Sequence, residues 1–155
     1  MVRKEDTRWM EEALKLARRA LEEGEVPIGA VVVRDGRVIG RGYNRVEQLK
    51  DATAHAEIIA IGAASQESHD WRLEGATLYV TLEPCMMCLG AAFLSRLGRI
   101  VYGARDFRGG ACGGALNFQE LKYMDREITI DGGVLESECS QILKEFFTKI
   151  RDSKK

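Results

Sequence analysis

The segment Pro84-Cys85-Met86-Met87-Cys88 constrains this chain more than any other. Two thiols three residues apart follow an apolar, strand-like run from Ala76 to Leu82, and both can face one point if the second opens a helix. Cysteines at a helix N-terminus feel the positive end of the macrodipole, which lowers their pKa and favours the metal-binding thiolate. Two soft ligands do not complete a zinc site, and the missing one stands upstream in His55-Ala56-Glu57. Together His55, Cys85 and Cys88 leave a tetrahedral zinc one open position, as a catalytic site requires and a structural site avoids. Water in that position ionises near neutral pH and becomes a nucleophile. Glu57 follows the histidine by two residues, and positions i and i+2 do not share a helical face. Its carboxylate is therefore expected beside the metal, as a proton carrier rather than a fourth ligand.

Blander readings of these cysteines fit less well. A Cys-x-x-Cys pair alone is as often half of a structural zinc site or a redox motif. A four-thiolate site needs a second pair, whereas Cys112 and Cys139 are solitary and far apart. A redox role has no use for the histidine and the acid, and here the proline precedes the pair instead of lying inside it. Two disulfides would suit a secreted protein, which nothing else in the chain suggests. The order His-x-Glu, then Pro-Cys-x-x-Cys, is the known signature of the zinc nucleobase deaminases, which the chain resembles at these residues.

At 155 residues the chain suits one well-buried domain, read here as residues 1–155. Its 45% hydrophobic and 30% charged residues are those of an ordinary soluble protein. The charged segment Met1 to Thr7 is no secretory signal, and no run is apolar enough to span a membrane. Free thiols destined for metal suit a reducing cytoplasm, the expected location. A net charge of −1 speaks, if anything, against a strongly electrostatic nucleic-acid binder.

Along the chain, Asp6 or Thr7 can cap a first helix with Met10, Ala13, Leu14, Ala17 and Leu21 on its apolar stripe and Gly24 as its stop. Ile28–Val33 and Val38–Tyr43 flank Asp35-Gly36, a strong hairpin signal. Asn44–Thr53 reads as a polar loop, and a helix runs from His55 to near Ser65. A strand (Ala76–Leu82), a helix (Met86–Arg96) and another strand (Ile100–Ala104) follow. Strands separated by helices imply parallel neighbours, so the expected fold is α/β: a three-layer α/β/α sandwich around a mixed central sheet. The loop Gly109-Gly110-Ala111-Cys112-Gly113-Gly114 lacks the Lys-Ser/Thr of a P-loop and reads as a flexible element near the pocket. Phe118–Met124 is expected as a short helix and Glu127–Ile130 as a strand fragment. The final helix, Ser137–Arg151, carries Cys139, Ile142, Leu143, Phe146, Phe147 and Ile150 on one stripe. Its tail adds Lys149, Arg151, Lys154 and Lys155, which suit either a solvated helix end or phosphate contact.

Nearly the whole chain resembles the bacterial tRNA adenosine deaminases, within the cytidine/deoxycytidylate deaminase superfamily. The resemblance is carried by Glu25-Val26-Pro27-Ile28-Gly29-Ala30, Asn44-Arg45, Thr53-Ala54-His55-Ala56-Glu57 and Thr77 to Cys88. Gly103-Ala104-Arg105-Asp106, Gly132-Gly133-Val134-Leu135 and Phe146-Phe147 extend it. The zinc residues fit the whole superfamily, whereas Gly-Ala-Arg-Asp and the Phe-Phe helix point to the tRNA branch. The resemblance implies a cytidine deaminase-like fold and hydrolytic conversion of adenosine to inosine at the wobble position of a tRNA anticodon. It also implies one Zn2+ per subunit, a homodimer and an anticodon loop as partner, since such a loop presents an unstacked base.

By the same resemblance Asn44 contacts the target base, and backbone amides around Glu83, Pro84 and Cys85 help hold the reacting water. Asp106 and Phe147 then contact flanking nucleotides. Two departures stand out: Ala52 where the family usually has Pro, and Cys112 and Gly114 at positions that are typically Ala and Ser. The rival enzyme is a guanine or cytosine free-base or nucleoside deaminase with the same zinc chemistry. A non-catalytic, zinc-stabilised RNA-binding subunit is a further alternative, but it would have no use for Glu57.

Overall fold

The computed structural model describes residues 1–120 and 122–154. Its elements are α1 (Asp6–Glu22), β1 (Gly29–Arg34), β2 (Arg37–Tyr43), α2 (Val46–Leu49), α3 (Ala56–Ser68), β3 (Thr77–Leu82), α4 (Met86–Leu94), β4 (Arg99–Ala104), β5 (Thr129–Gly132) and α5 (Glu136–Ser153). The strands form one sheet in the order β2-β1-β3-β4-β5. β1 runs antiparallel to both β2 and β3, while β3, β4 and β5 are parallel.

Period-two alternation divides the core between the two faces of this sheet. Ala30, Val32, Leu78, Val80, Ile100 and Tyr102 pack beneath α3 and α4. Val31, Val33, Tyr79 and Val101 point the other way, against α1 and α5. The three-layer sandwich expected from the sequence is thus observed, and α3 lies very close to the sheet. A Cβ at Gly40 or Gly42 of β2 would run into the α3 backbone, so the small residue lets helix and strand touch.

Four local expectations are corrected. Asp6 does not serve as the outer cap of α1, whose N-cap is Glu5. It is fully buried instead, with its carboxylate accepting from Arg99 Nη1 (2.7 Å) and Nη2 (2.8 Å) and from the Tyr79 hydroxyl (2.8 Å). The loop after β2 contains one helical turn, α2. Phe118–Met124 holds no helix among its described residues: Asn117 Oδ1 accepts from the Gln119 amide, and Met124 and Asp125 both adopt positive φ, making a left-handed turn. The last strand lies two residues later than expected. Lys155, part of the basic tail, falls outside the described residues.

Candidate active site

Two helices aim their N-termini at one point. His55 is the N-cap of α3 and Cys85 the N-cap of α4, both in extended conformation, and neither spends its side chain on capping. The imidazole and the thiol are therefore available for other chemistry, and both macrodipoles present their positive ends to it. The donor atoms of His55, Cys85 and Cys88 all lie within 4.8 Å of one another. His55 Nδ1 is 3.6 Å from Cys85 Sγ and 3.5 Å from Cys88 Sγ. Bonds of about 2.0 Å to nitrogen and about 2.3 Å to sulfur, at tetrahedral angles, separate N from S by about 3.5 Å. The side chains are thus already spaced for a tetrahedral metal ion.

Titration behaviour agrees with that arrangement. A hydrogen bond from Cys88, reinforced by His55, draws the Cys85 thiol down to about 4, and Cys88 is raised in turn because its proton is shared with Cys85. His55 is raised, chiefly by its hydrogen bond to Cys85. Glu57, in the first turn of α3, is only 4% exposed, and burial pushes its carboxyl up to about 7 beside Cys88. An acid poised near neutrality at the metal-binding cluster is suited to carrying protons. The expected offset between His55 and Glu57 needs one refinement. His55 lies just outside the helix, so its extended backbone turns the ring towards the thiols while Glu57 approaches from the first turn.

The other residues singled out in the sequence divide into groups. Asn44 and His55 line one cavity of about 330 Å3, with Glu25, Val26 and Ile28. The Asn44 amide nitrogen donates to Val26 O at 3.4 Å. Asp106 and Phe147 line a second cavity of about 490 Å3 with Arg105, Arg108 and Leu143, and Val26 borders both. Glu83 and Pro84 belong to neither lining. The Glu83 amide donates to Ala104 O at 2.8 Å and proline has no N–H, so neither residue offers a backbone donor to water or substrate. Within Glu83–Cys85 only the Cys85 amide is left for that task.

Sequence reading missed Glu25. It is buried, and its carboxylate accepts from the amides of Glu47 (2.9 Å) and Gln48 (2.8 Å), capping α2 at the edge of the Asn44 cavity. An acid just before the apolar Val26-Pro27-Ile28 run was the available signal. Phe107, 77% exposed between Arg105 and Arg108, was also passed over.

A mixed sheet with a His-Cys-Cys cluster and a buried acid at two helix N-termini defines a deaminase-type hydrolase site. The family model described as MafB19-like deaminase matches residues 4–151. The tRNA-specific adenosine deaminase of Bacillus subtilis (strain 168) is 46% identical over 151 residues, which cover 97% of this chain and 94% of that protein. A solved structure from a study of A-to-I editing by tRNA:A34 deaminases superposes with a TM-score of 0.83 at 48% identity, covering 88% of this chain and 99% of that one. A guanine deaminase from Nitrosomonas europaea superposes at 0.80 with 26% identity, covering 90% of this chain and 83% of that one. The chain belongs to the tRNA-specific adenosine deaminase family.

Proposed function

We propose that the chain converts adenosine to inosine at the wobble position of a tRNA anticodon, as a cytoplasmic homodimer with one zinc ion per subunit. The observation that carries the chemistry is the convergence of His55, Cys85 and Cys88 with the buried acid Glu57. His55, Cys85 and Cys88 would hold the zinc, which when bound acidifies water and so supplies a nucleophile near neutral pH. Glu57 takes one proton from the attacking water and gives it to a nitrogen of the adenine ring. It then takes the proton of the new C–OH group and gives it to the amino group, which leaves as ammonia while the C=O bond forms. Asn44 borders the cavity that would receive the base, and the Cys85 amide would hold the reacting water.

The RNA substrate is supported by near-full-length similarity to the B. subtilis enzyme and by the rim of the second cavity. There Arg105 and Arg108 supply positive charge, and Phe107 and the half-exposed Phe147 supply ring faces on which splayed bases can stack. The dimer is supported by an uncovered apolar stripe on α4, where Met86 is 64% and Leu94 54% exposed on either side of Gly90. No described helix is long and apolar enough to cross a membrane.

The structural likeness to a guanine deaminase keeps one rival in view. Purified protein is offered an anticodon stem-loop bearing wobble adenosine, beside free adenosine, guanine, cytosine and cytidine. Inosine is expected in the stem-loop alone. Ammonia released from a free base or nucleoside, with the stem-loop untouched, would leave the zinc chemistry standing and overturn the substrate.

A further inference from the structure

We propose that Glu83 is a positioning residue: its carboxylate moulds the Asp106–Gly114 loop and sets that loop's distance from the metal-binding turn. This rests on the tRNA reading above, because the loop carries the rim assigned to the RNA. The Glu83 side chain is fully buried, and its nearest cation, Arg105 Nη1, is 4.0 Å away. Backbone amides do the binding instead. Oε1 accepts from Asp106 (3.1 Å), and Oε2 accepts from Cys112 (2.8 Å) and Gly114 (2.9 Å). Successive amides turned inward form an anion-binding nest, and here the anion belongs to the chain itself.

This accounts for the glycine content of the loop. A Cβ at Gly110 would collide with the Glu83 carboxylate, and one at Gly114 with both Asp106 O and that carboxylate. Gly110 in particular lets the backbone close on the acid, since its Cβ position coincides with the carboxylate itself. A second strut joins the same parts, since the Ala111 amide donates to Pro84 O at 2.8 Å. Glu83 and Pro84 immediately precede the ligand Cys85, so one short segment holds both the metal turn and the loop. At the loop's other end, Asp106 Oδ1 accepts from the amides of Arg108 (3.0 Å) and Gly109 (3.2 Å), which leaves Phe107 facing solvent. Arg105, Asp106, Arg108 and Gly109 all line the second cavity. Burying a carboxylate costs desolvation that its amide bonds must first offset, which makes it a poor way to gain stability alone. It is a good way to fix two walls of a site at one separation.

Glu83→Gln tests this in the full-length, zinc-loaded enzyme. The amide oxygen can keep the Cys112 and Gly114 bonds, which turns the NH2 group onto the Asp106 amide and releases that end of the loop. Metal content should match wild type. Amide exchange across Asp106–Gly109 should accelerate at least about tenfold, and KM for the stem-loop should rise about tenfold, with kcat changed less than about threefold. Unchanged exchange would overturn the bracing role. Faster exchange with an unchanged KM, or activity lost only in proportion to zinc, would overturn the positioning role. Should Glu83→Gln fail to fold, Gly110→Ala displaces the same loop from its own side. It is then expected to raise KM, and a folded Gly110→Ala protein with wild-type KM overturns the proposal. A wild-type enzyme inactive on the stem-loop sinks the tRNA reading and the substrate part of this one, while exchange still decides whether Glu83 holds the loop.

Discussion

Glu57 is the residue on which the chemistry turns. It is buried, its carboxyl is held near 7 by that burial, and it adjoins three donors already spaced for a metal. Glu57→Ala should therefore retain one equivalent of zinc by elemental analysis while turnover falls by about 10²-fold or more, the usual scale for losing a proton-transfer group. A variant with wild-type activity would remove Glu57 from the mechanism. This part of the site was legible in the sequence because ligands and acid sit in two short motifs whose spacing is itself the chemistry. Glu25 and Glu83 were not legible in the same way. Their partners are backbone amides 22 to 31 residues away, and any residue except proline can supply an amide. The resemblance led to Glu83 for its amide, yet the structure uses that amide in the sheet and turns the carboxylate to the loop.

The strands and long helices could be read from hydrophobic period, because each buries one face against the sheet. Phe118–Met124 could not. Its apolar residues suggested a helix, but Asn117 and the left-handed pair Met124-Asp125 bend the chain back while Phe118 packs on the core. The close seating of α3 on β2 was also unreadable, although it fixes where His55 and Glu57 stand. A Cβ on Gly42 would strike Ala56 O, in the first turn of α3 directly after His55. Gly42→Ala is therefore expected to cost about 1–3 kcal/mol in denaturant unfolding, the range for overpacking. It should also weaken zinc retention against a chelator. Gly62, on the exposed side of α3, has nothing within 4 Å of a Cβ position. Gly62→Ala should add about 0.5–1 kcal/mol through helix propensity and leave zinc binding alone. Equal effects of the two substitutions on zinc would show that α3 seating does not govern the metal site.

At the scale of the whole molecule, the apolar stripe of Met86 and Leu94 on α4 is the surface assigned to the proposed dimer. Leu94→Arg should convert the proposed dimer to monomer in sedimentation velocity, and an unaltered dimer would place the interface elsewhere. The assembly of α1, β3, β4 and β5 depends on a polar centre that no motif announced. Asp6 receives both Arg99 nitrogens and the Tyr79 hydroxyl, and Arg99 also reaches Asp131 at 2.9 Å. Burial alone would raise the Asp6 carboxyl, but the hydrogen bonds from Arg99, the Arg3 amide and Tyr79 outweigh it and hold the group below its ordinary 3.8. A carboxyl depressed in the fold binds its proton more readily in the unfolded chain. Its contribution is therefore complete above the ordinary value and is lost as pH falls through the lower, folded one. Asp6→Asn leaves the buried Arg99 with Asp131 as its remaining carboxylate partner and should cost about 3 kcal/mol near pH 7. The gap between wild type and Asp6→Asn in urea unfolding should stay constant from pH 7 to about 5 and shrink below about 4. A gap of the same size at pH 3 as at pH 7 would mean that the carboxylate's charge contributes nothing to holding these elements together.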